Sequence, residues 1–283
     1  MNDNNEHWDL VIKPRSKWYQ IDIAALWNYR DLLMLLVRRD FVSVYKQTIL
    51  GPIWFFIQPI LTSVTFTIIF GNVANISTDG MPKLLFYLAG ITLWTYFSDC
   101  LTKTSNTFVA NAGVFGKVYF PRLVVPLSVL ISNLVKLGIQ FMLFLAVWIY
   151  YIKNPSVQPR WELMWMLPIL ILIMAGLGLG FGILISSLTT KYRDFTFLVV
   201  FAVQLMMYAS PVVYPLSIVP EKYKLLLLAN PVSSVIEGFK YIFLGNGYFS
   251  WPAIGYSCAF MMVLTLIAVI VFHKVEKSFM DTV

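Results

Sequence analysis

The residue types that carry out most protein chemistry are scarce in this sequence. Its 283 residues include two histidines, His7 and His273, and two cysteines, Cys100 and Cys258. The histidines lie near opposite ends of the chain, and neither has a metal ligand or nucleophile at a spacing typical of a catalytic site. We interpret both histidines as surface residues and both cysteines as buried thiols without a disulfide or a metal. The sequence therefore predicts no catalytic, cofactor-binding or metal-binding residue.

The sequence also lacks a phosphate loop for nucleotide binding. The pattern G-x-x-x-x-G-K-[ST] occurs nowhere in the chain, and a protein without it cannot cradle ATP phosphates in that manner. If ATP powers the process in which this protein takes part, a separate partner chain must bind the Mg-ATP. We predict that this chain is not itself an enzyme.

The composition is typical of a membrane protein. Hydrophobic residues make up 59% of the chain and charged residues 12%, against roughly a quarter charged in an average soluble domain. A net charge of +7 would suggest nucleic-acid binding in a soluble protein. Here most basic residues lie between apolar runs, where they orient a membrane protein, so we predict no contact with nucleic acid.

Six apolar runs are candidates for helices that cross a bilayer, which needs about 20 apolar residues. The second run contains Asp99 and Lys103 one helical turn apart, so we expect these two side chains to pair. The fourth run contains AGLGLGFG, whose small residues permit close helix contact. The predicted fold class is an all-α integral membrane protein with spans at about 50–70, 84–105, 123–151, 163–187, 195–212 and 251–272.

One further apolar segment, residues 225–236, has only 12 residues and is interrupted by Asn230 and Pro231. It is too short to span, so we predict a re-entrant or interfacial hairpin between the fifth and sixth helices. Pro59 and Pro211 fall within the first and fifth predicted spans, where each should kink its helix and free a carbonyl group. A freed carbonyl favours a position beside a cavity, although packing alone also explains a kink.

Basic residues are distributed unequally between alternate loops. Fourteen Lys and Arg lie in the loops and terminal segments of one side and six in those of the other, with Lys136 inside the third span. The positive-inside rule then places both termini in the cytoplasm, which requires an even number of spans. Lys136 has no evident carboxylate partner, which disfavours a proton relay; an ion-coupled secondary carrier is kept as an alternative.

The chain before the first span divides into two parts. Residues 1–22 are polar and lack the apolar core and cleavage site of a secretory signal. In residues 23–48, apolar side chains recur at helical spacing with Arg30, Arg38 and Arg39 between them, which is typical of an amphipathic helix in the headgroup plane. A juxtamembrane anchor without further role explains this pattern equally well. Residues 49–283 form the predicted transmembrane domain.

Five motifs occur in the order seen in one known family. They are YKQTILGPIWFFIQP (Tyr45–Pro59), GKVYFPRLVVP (Gly116–Pro126), YRD (Tyr192–Asp194), ASPVVYPLSIVP (Ala209–Pro220) and ANPVSSVIEGFK (Ala229–Lys240). From about Leu26 to its carboxyl end, the chain resembles the permease subunit of ABC-2 type polysaccharide exporters, which include the O-antigen and teichoic-acid exporters of bacteria.

The resemblance implies an assembly and a cargo. Two copies of the permease would form a homodimer in the bacterial inner membrane, work with two copies of a separate ATPase, and pass a lipid-linked polysaccharide of the O-antigen type between them. Other cargoes of the same superfamily remain open: teichoic acid, capsule, a lipid or a drug.

The resemblance also implies roles for three groups of residues. An interface helix resting on the ATPase would contain Arg30, Arg38, Arg39, Tyr45 and Lys46. A coupling loop docked into the ATPase would contain Lys117, Tyr119, Phe120, Pro121 and Arg122. Helix kinks and an outer gate would involve Pro59, Pro211, Pro215, Asn230 and Pro231.

Charge and aromatic content suggest how such a cargo would be handled. Lys and Arg near the cytoplasmic mouth are expected to attract the diphosphate of the lipid. Aromatic residues form 16% of the chain, and their faces can pack on the apolar faces of sugar rings. Core or lipid-facing packing is the alternative for each. The residues predicted to line a channel are Trp54, Phe55, Phe66, Tyr87, Trp94, Tyr96, Phe97, Tyr208 and Tyr214.

Overall fold

A computed structural model describes residues 23–46, 48–115, 120–192 and 194–280, and these residues form helices joined by turns. The predicted all-α fold is confirmed. The α-helices are α1 (Ile23–Asn28), α2 (Arg30–Tyr45), α3 (Trp54–Phe66), α4 (Lys83–Ser105), α5 (Thr107–Ala110), α6 (Ala112–Phe115), α7 (Val124–Tyr151), α8 (Leu167–Lys191), α9 (Phe195–Tyr208), α10 (Glu221–Ala229), α11 (Pro231–Leu244) and α12 (Trp251–Met280).

Short 3-10 or π-helical segments extend two of these helices, α3 and α8. A 3-10 turn, Gly51–Ile53, leads into α3, and a π-helical segment, Thr67–Val73, continues from it. Another 3-10 segment, Trp161–Met166, leads into α8. Five helical stretches of the described chain are long and apolar enough to cross a bilayer: Gly51–Val73, Lys83–Ser105, Val124–Tyr151, Trp161–Thr189 and Trp251–Lys274.

The helix α9, at the position of the fifth predicted span, is short. Its 14 residues extend about 21 Å, whereas the hydrocarbon layer is about 30 Å thick. We predicted this span to reach residue 212, but it ends at Tyr208. Ser210 precedes a proline, and such a residue disfavours the helical conformation. Pro211 therefore lies in the turn after α9 and does not kink the helix as predicted.

The connections alternate between two ends of the helical bundle. The proximal end is where Leu36 of α2 packs with Phe108, Phe120 and Phe272. The distal end is where the Ser217 hydroxyl donates to the Asp79 carboxylate. At the proximal end, α1 and α2 form the predicted amphipathic segment, interrupted at Tyr29, and bury Leu36 and Val37 while Arg38 and Arg39 stay exposed.

The central helix of the bundle is α4, which contacts α3, α7, α8, α9 and α11. Its apolar stretch is 78% buried, against 22% for the first and last spans. The glycines of AGLGLGFG explain the close approach of α8. A Cβ on Gly178 would lie 2.7 Å from that of Cys100, and one on Gly182 would lie 2.6 Å from that of Thr104, both on α4; the other two glycines face α12. Cys100 is buried, as predicted, while Cys258 is half-buried.

The segment between α9 and α12 forms a re-entrant hairpin, as predicted from residues 225–236. Its second arm is longer than predicted and extends to Leu244. The two arms, α10 and α11, meet at Asn230, whose Oδ1 accepts from the Val232 amide at 3.1 Å. The Asn230 amide also donates to Ser210 Oγ at 2.8 Å. Pro231 begins α11 and Gly245, with φ of 86°, ends it. The side chains of α11 are almost all buried in the bundle.

An ion pair lies on the buried arm α11. Glu237 and Lys240 each have side chains 1% exposed, and the Lys240 Nζ lies 3.6 Å from Glu237 Oε1. The same Nζ donates to the Pro211 carbonyl at 2.5 Å and lies 3.6 Å from the centroid of the Phe86 ring. Glu237 Oε2 accepts from the Tyr248 amide at 3.2 Å. The pair thus joins α11 to α4, to the turn after α9 and to the loop before α12. The sequence had placed Lys240 among the six Lys and Arg counted on the side opposite the termini.

The substitution Gly182→Ala should destabilise the protein, because the new Cβ lies 2.6 Å from Thr104 Cβ and 3.0 Å from the Leu101 carbonyl oxygen. Overpacking of this kind costs about 1–3 kcal/mol. Gly138→Ala is the matched control, since nothing lies within 4 Å of its added Cβ. Thermal unfolding in detergent should show a lower midpoint for Gly182→Ala alone, and equal midpoints would contradict the close packing of α8 on α4.

The substitution Lys240→Met should also destabilise the protein, because it leaves the Glu237 carboxylate buried without a cation. Removing one partner of a buried pair costs about 3–5 kcal/mol, and replacing both, as in Glu237→Leu/Lys240→Met, should recover much of that loss.

Lys224→Met is the control for this pair. Lys224 pairs with Glu221 at the same spacing of three residues, but the Glu221 side chain is 87% exposed. Such a surface pair contributes at most about 1 kcal/mol to stability. Equal losses of free energy of unfolding in Lys224→Met and Lys240→Met would overturn the structural role given to the α11 pair.

Candidate functional site

The second half of α4 presents polar side chains that the rest of the protomer covers only in part. Residues three or four apart share one face of a helix, and these side chains follow that spacing. The intervening Phe97, Cys100 and Leu101 are buried. We call the partly or fully exposed set the polar stripe; its members are Thr95, Ser98, Asp99, Thr102, Lys103 and the helix-capping Asn106.

Two side chains of α7 contact the charged members of the polar stripe. Lys136 Nζ lies 2.7 Å from Asp99 Oδ2, with side chains 16% and 23% exposed. Lys103 Nζ donates to Asn133 Oδ1 at 2.8 Å. The expected Asp99–Lys103 pair within α4 is therefore replaced by two contacts between helices, and Lys136 has the carboxylate partner that the sequence did not indicate. Spacing along one helix could not show what the neighbouring helix supplies.

The position of the polar stripe limits what can face it. Charged side chains at the centre of a lipid-facing helix cost about 2.5–3.5 kcal/mol each, so they turn to protein or to a water-filled cavity. The Thr102 hydroxyl donates to the Ser98 carbonyl of its own helix at 2.7 Å, which leaves its lone pairs available to accept. A surface with an ion pair, hydroxyls and an accessible ammonium suits water or a polar solute better than lipid.

Accessible polar side chains also occur on two helices that contact α4. On α3, Gln58 and Thr65 are exposed and Thr62 is half-buried, and their spacing places them on one face. On α9, Gln204 is exposed near the middle of the helix. The polar stripe is therefore flanked by helices that carry uncharged hydrogen-bonding groups at membrane depth.

The side of α9 that faces α8 is apolar. A cavity of about 300 Å³ lies between α4, α8 and α9. Its lining includes Leu101, next to Thr102 in the chain, together with Phe181, Phe195 and Met206. The helix α4 thus lies between the polar stripe and this apolar cavity.

The predicted channel-lining aromatics divide into two groups. Five are buried inside one protomer: Phe55, Tyr87, Trp94, Tyr96 and Phe97. Their packing is internal, since Phe55 stacks on Phe41 and Trp94 lies against Phe97. Trp54 and Tyr208 are exposed, and Phe66 and Tyr214 are half-buried. A side chain that lines a channel must reach the protomer surface, so we keep the channel-lining prediction for these last four.

The predicted gate residues are grouped at the distal end, with one exception. Asn230 and Pro231 join the two arms of the hairpin, while Pro211 and Pro215 lie in the chain between α9 and α10. Pro59 instead lies buried inside α3, where its missing amide leaves the preceding turn without one hydrogen bond. Their roles in gating stay predictions.

Tyr214 connects this distal group to the buried pair of α11. Its hydroxyl donates to the Tyr208 carbonyl at 3.1 Å. Burial raises the pKa of the Tyr214 phenol above its usual value of 10, and the negative charge of Glu237 adds to that rise. The phenol therefore remains a neutral hydrogen-bond donor at physiological pH.

Those residues predicted to contact an ATPase that the structure describes lie at the proximal end. Lys117 and Tyr119 lie outside the described residues, as does the side chain of Tyr45. Phe120 and Arg122 are buried, with the Arg122 guanidinium 5.4 Å from the Phe115 ring, and Pro121 is half-buried. These residues anchor the loop within the protomer. In the interface helix, the exposed cations are Arg30, Arg38, Arg39 and Lys46.

The polar stripe was missed in the sequence because each residue is unremarkable alone. Its signal is the repetition of Thr, Ser, Asp and Asn every three or four positions within an otherwise apolar span. That pattern is visible in residues 95–106, but it could equally mark the buried side of a helix. Only the packing of α4 shows that these positions stay open.

Known proteins with similar sequences are membrane components of transporters. A family model described as ABC-2 type transporter matches residues 31–244. The O-antigen export system permease protein RfbA of Klebsiella pneumoniae is 27% identical over 251 residues, which cover 89% of this chain and 94% of that protein. The RfbA protein of Myxococcus xanthus is 25% identical over 263 residues, with coverage of 92% and 98%.

A third relative is named for a different cargo. The polysialic acid transport protein KpsM of Escherichia coli is 22% identical over 251 residues, which cover 87% of this chain and 94% of KpsM. All these matches span most of both chains, and the helical membrane fold agrees with them. Because the family model covers more than half of the sequence, the chain belongs to the ABC-2 type transporter family, as a multi-pass membrane protein of an ABC transporter.

Proposed function

We propose that this chain is the membrane-spanning subunit of an ATP-driven exporter that moves a lipid-linked polysaccharide of the O-antigen type across the bacterial inner membrane. It acts as a homodimer with two copies of a separate ATPase. The ATPase binds the Mg-ATP, and this chain supplies the path through the membrane.

The polar stripe of α4 is the observation that supports this proposal most directly. A glycan carries many hydroxyl groups, which need hydrogen-bonding partners or water throughout their passage. Thr95, Ser98 and Thr102 offer such partners at successive turns of α4, on a side that one protomer leaves open. A second protomer facing this side closes a polar path between the two copies.

Four aromatic side chains extend the same surface. Trp54 and Phe66 belong to α3, whereas Tyr208 and Tyr214 lie at and after the end of α9. Both helices contact α4. Aromatic faces at these positions pack on the apolar faces of sugar rings while the sugar hydroxyls stay hydrated.

Coupling to the ATPase takes place at the proximal end, which we place in the cytoplasm with both termini. The excess of Lys and Arg in the corresponding loops supports this orientation. The exposed Arg38 and Arg39 of α2, and Lys117 and Tyr119 of the loop after α6, supply the surface that meets the ATPase. The buried Phe120 and Arg122 transmit its movement to α7, because they lie in the short segment directly before that helix.

The Asp99–Lys136 pair is a specific feature that favours the alternative function, an ion-coupled carrier. Such carriers use ionisable groups at membrane depth. The two mechanisms differ in their energy source. An exporter of the proposed kind needs the ATPase and continues when the proton gradient is collapsed, whereas an ion-coupled carrier stops.

Deletion of the gene should abolish the surface polysaccharide and cause lipid-linked glycan to accumulate inside the cell. Expression of the wild-type chain should restore export only together with an ATPase subunit whose ATP hydrolysis is intact. Glycan analysis of surface and membrane fractions measures both effects. Unchanged surface glycan would contradict the cargo, and export that persists with an inactive ATPase would contradict the mechanism.

A further inference from the structure

The charges around the polar stripe do not cancel. The cluster holds two ammonium groups, Lys103 and Lys136, and one carboxylate, Asp99. Lys136 lies 2.7 Å from that carboxylate and is thereby neutralised. Lys103 instead donates to the neutral amide oxygen of Asn133 at 2.8 Å, and no salt bridge joins it to Asp99 although the two are one turn apart. One positive charge is left over.

The uncompensated ammonium is also accessible and held in place. Lys103 is exposed, whereas Asn133 is 2% exposed, so the amide that receives the ammonium is fixed in the packing between α4 and α7. A hydrogen bond to a rigid neutral partner restrains a flexible lysine without neutralising its charge. Lys103 has three donor hydrogens, so donors remain for a second acceptor.

We propose that Lys103 binds the phosphoryl group of an amphiphile whose polar part lies along the polar stripe. An ammonium is a strong partner for phosphate oxygens because both groups are charged. The inference rests on the proposed function: the phosphoryl group that Lys103 binds is the diphosphate that joins a glycan to its lipid carrier. Asn133 is a positioning residue in this arrangement.

The surroundings of Lys103 fit an amphiphilic ligand. Lys103 lies in the last turn of α4, near the proximal end of the span, where headgroups meet hydrocarbon. The hydroxyls of Thr102, Ser98 and Thr95 continue from it towards the middle of the membrane and suit a polar chain. An apolar chain can remain in the adjoining bilayer.

The competing explanation is that Lys103 only anchors α4 to α7 and follows the positive-inside rule. That role needs the hydrogen bond to Asn133 but no ligand. The two explanations are separated by variants that keep the hydrogen bond to Asn133 with or without the positive charge. Lys103→Arg keeps both, and Lys103→Gln keeps a donor for Asn133 while it removes the charge.

The test measures binding of two probes to the full chain in nanodiscs of phosphatidylcholine. The probes are a polyprenyl diphosphate and the polyprenol with the same hydrocarbon chain, and native mass spectrometry gives the bound fractions. The wild type and Lys103→Arg should prefer the diphosphate by about tenfold or more, equivalent to 1.4 kcal/mol. Lys103→Gln should lose that preference. Lys153→Met, which removes an exposed lysine after the end of α7, should keep it.

Phosphatidylglycerol as a competitor identifies the source of the phosphoryl group. If it does not displace the polyprenyl diphosphate at equal concentration, Lys103 selects the carrier lipid. Displacement would overturn that assignment in favour of a membrane lipid. A full diphosphate preference in Lys103→Gln would overturn the site itself. The binding experiment tests the Lys103 site, and the gene deletion tests the exported cargo without involving Lys103. A failure of one claim can therefore be told apart from a failure of the other.

Discussion

Hydrocarbon offers no hydrogen bonds, so every polar group at membrane depth must find a partner within the protein or face water. This constraint explains the two sides of α4. On its buried side, Thr92 donates to the Leu88 carbonyl of its own helix, and the Ser105 carbonyl accepts from Thr189 of α8. On its open side, the polar stripe retains an ion pair, an ammonium and several hydroxyls that the protomer covers only in part. The open side accordingly requires a wet or polar neighbour.

The same constraint explains how the short helix α9 is held. At the proximal end, Thr196 donates to the side chain of Asn106, the last member of the polar stripe, at 3.2 Å. At the distal end, Ser210 accepts from Asn230, and the Pro211 carbonyl accepts from Lys240. The helix is thus tied by polar contacts to α4 at one end and to α11 at the other. A displacement of α9 would therefore disturb contacts both at the polar stripe and at the re-entrant hairpin.

Much of the fold could be predicted from the sequence because its signals are local. The length of the apolar runs predicted the long spans, and the Asn230–Pro231 break predicted the hairpin. The glycines of AGLGLGFG predicted a close helix contact. The partners of buried charges could not be predicted in this way. The sequence suggested that Lys240 lies in a loop, but it pairs with Glu237 inside the bundle. It also suggested that Asp99 pairs with Lys103, but Asp99 pairs with Lys136 of α7.

The candidate site shows the same limit. Aromatic content suggested nine lining residues, but five of them pack inside the protomer, because aromatic side chains fill a core as readily as they line a surface. The polar stripe, in contrast, consists of residues with weak individual signals. Its members become informative only when the packing of α3, α7, α8 and α9 around α4 leaves their side open.

The central claim is that the polar stripe faces water during transport, and its most direct measurement is chemical labelling of introduced cysteines. Thr95→Cys, Thr102→Cys and Leu266→Cys would each be made in a Cys100→Ala/Cys258→Ala background and assembled with the ATPase in vesicles. Leu266 of α12 is 60% exposed in the protomer and is the lipid-facing control. With ATP present, a charged, membrane-impermeant thiol reagent should label the cysteines at positions 95 and 102 well ahead of the one at position 266. Equal or absent labelling at all three positions would contradict the account.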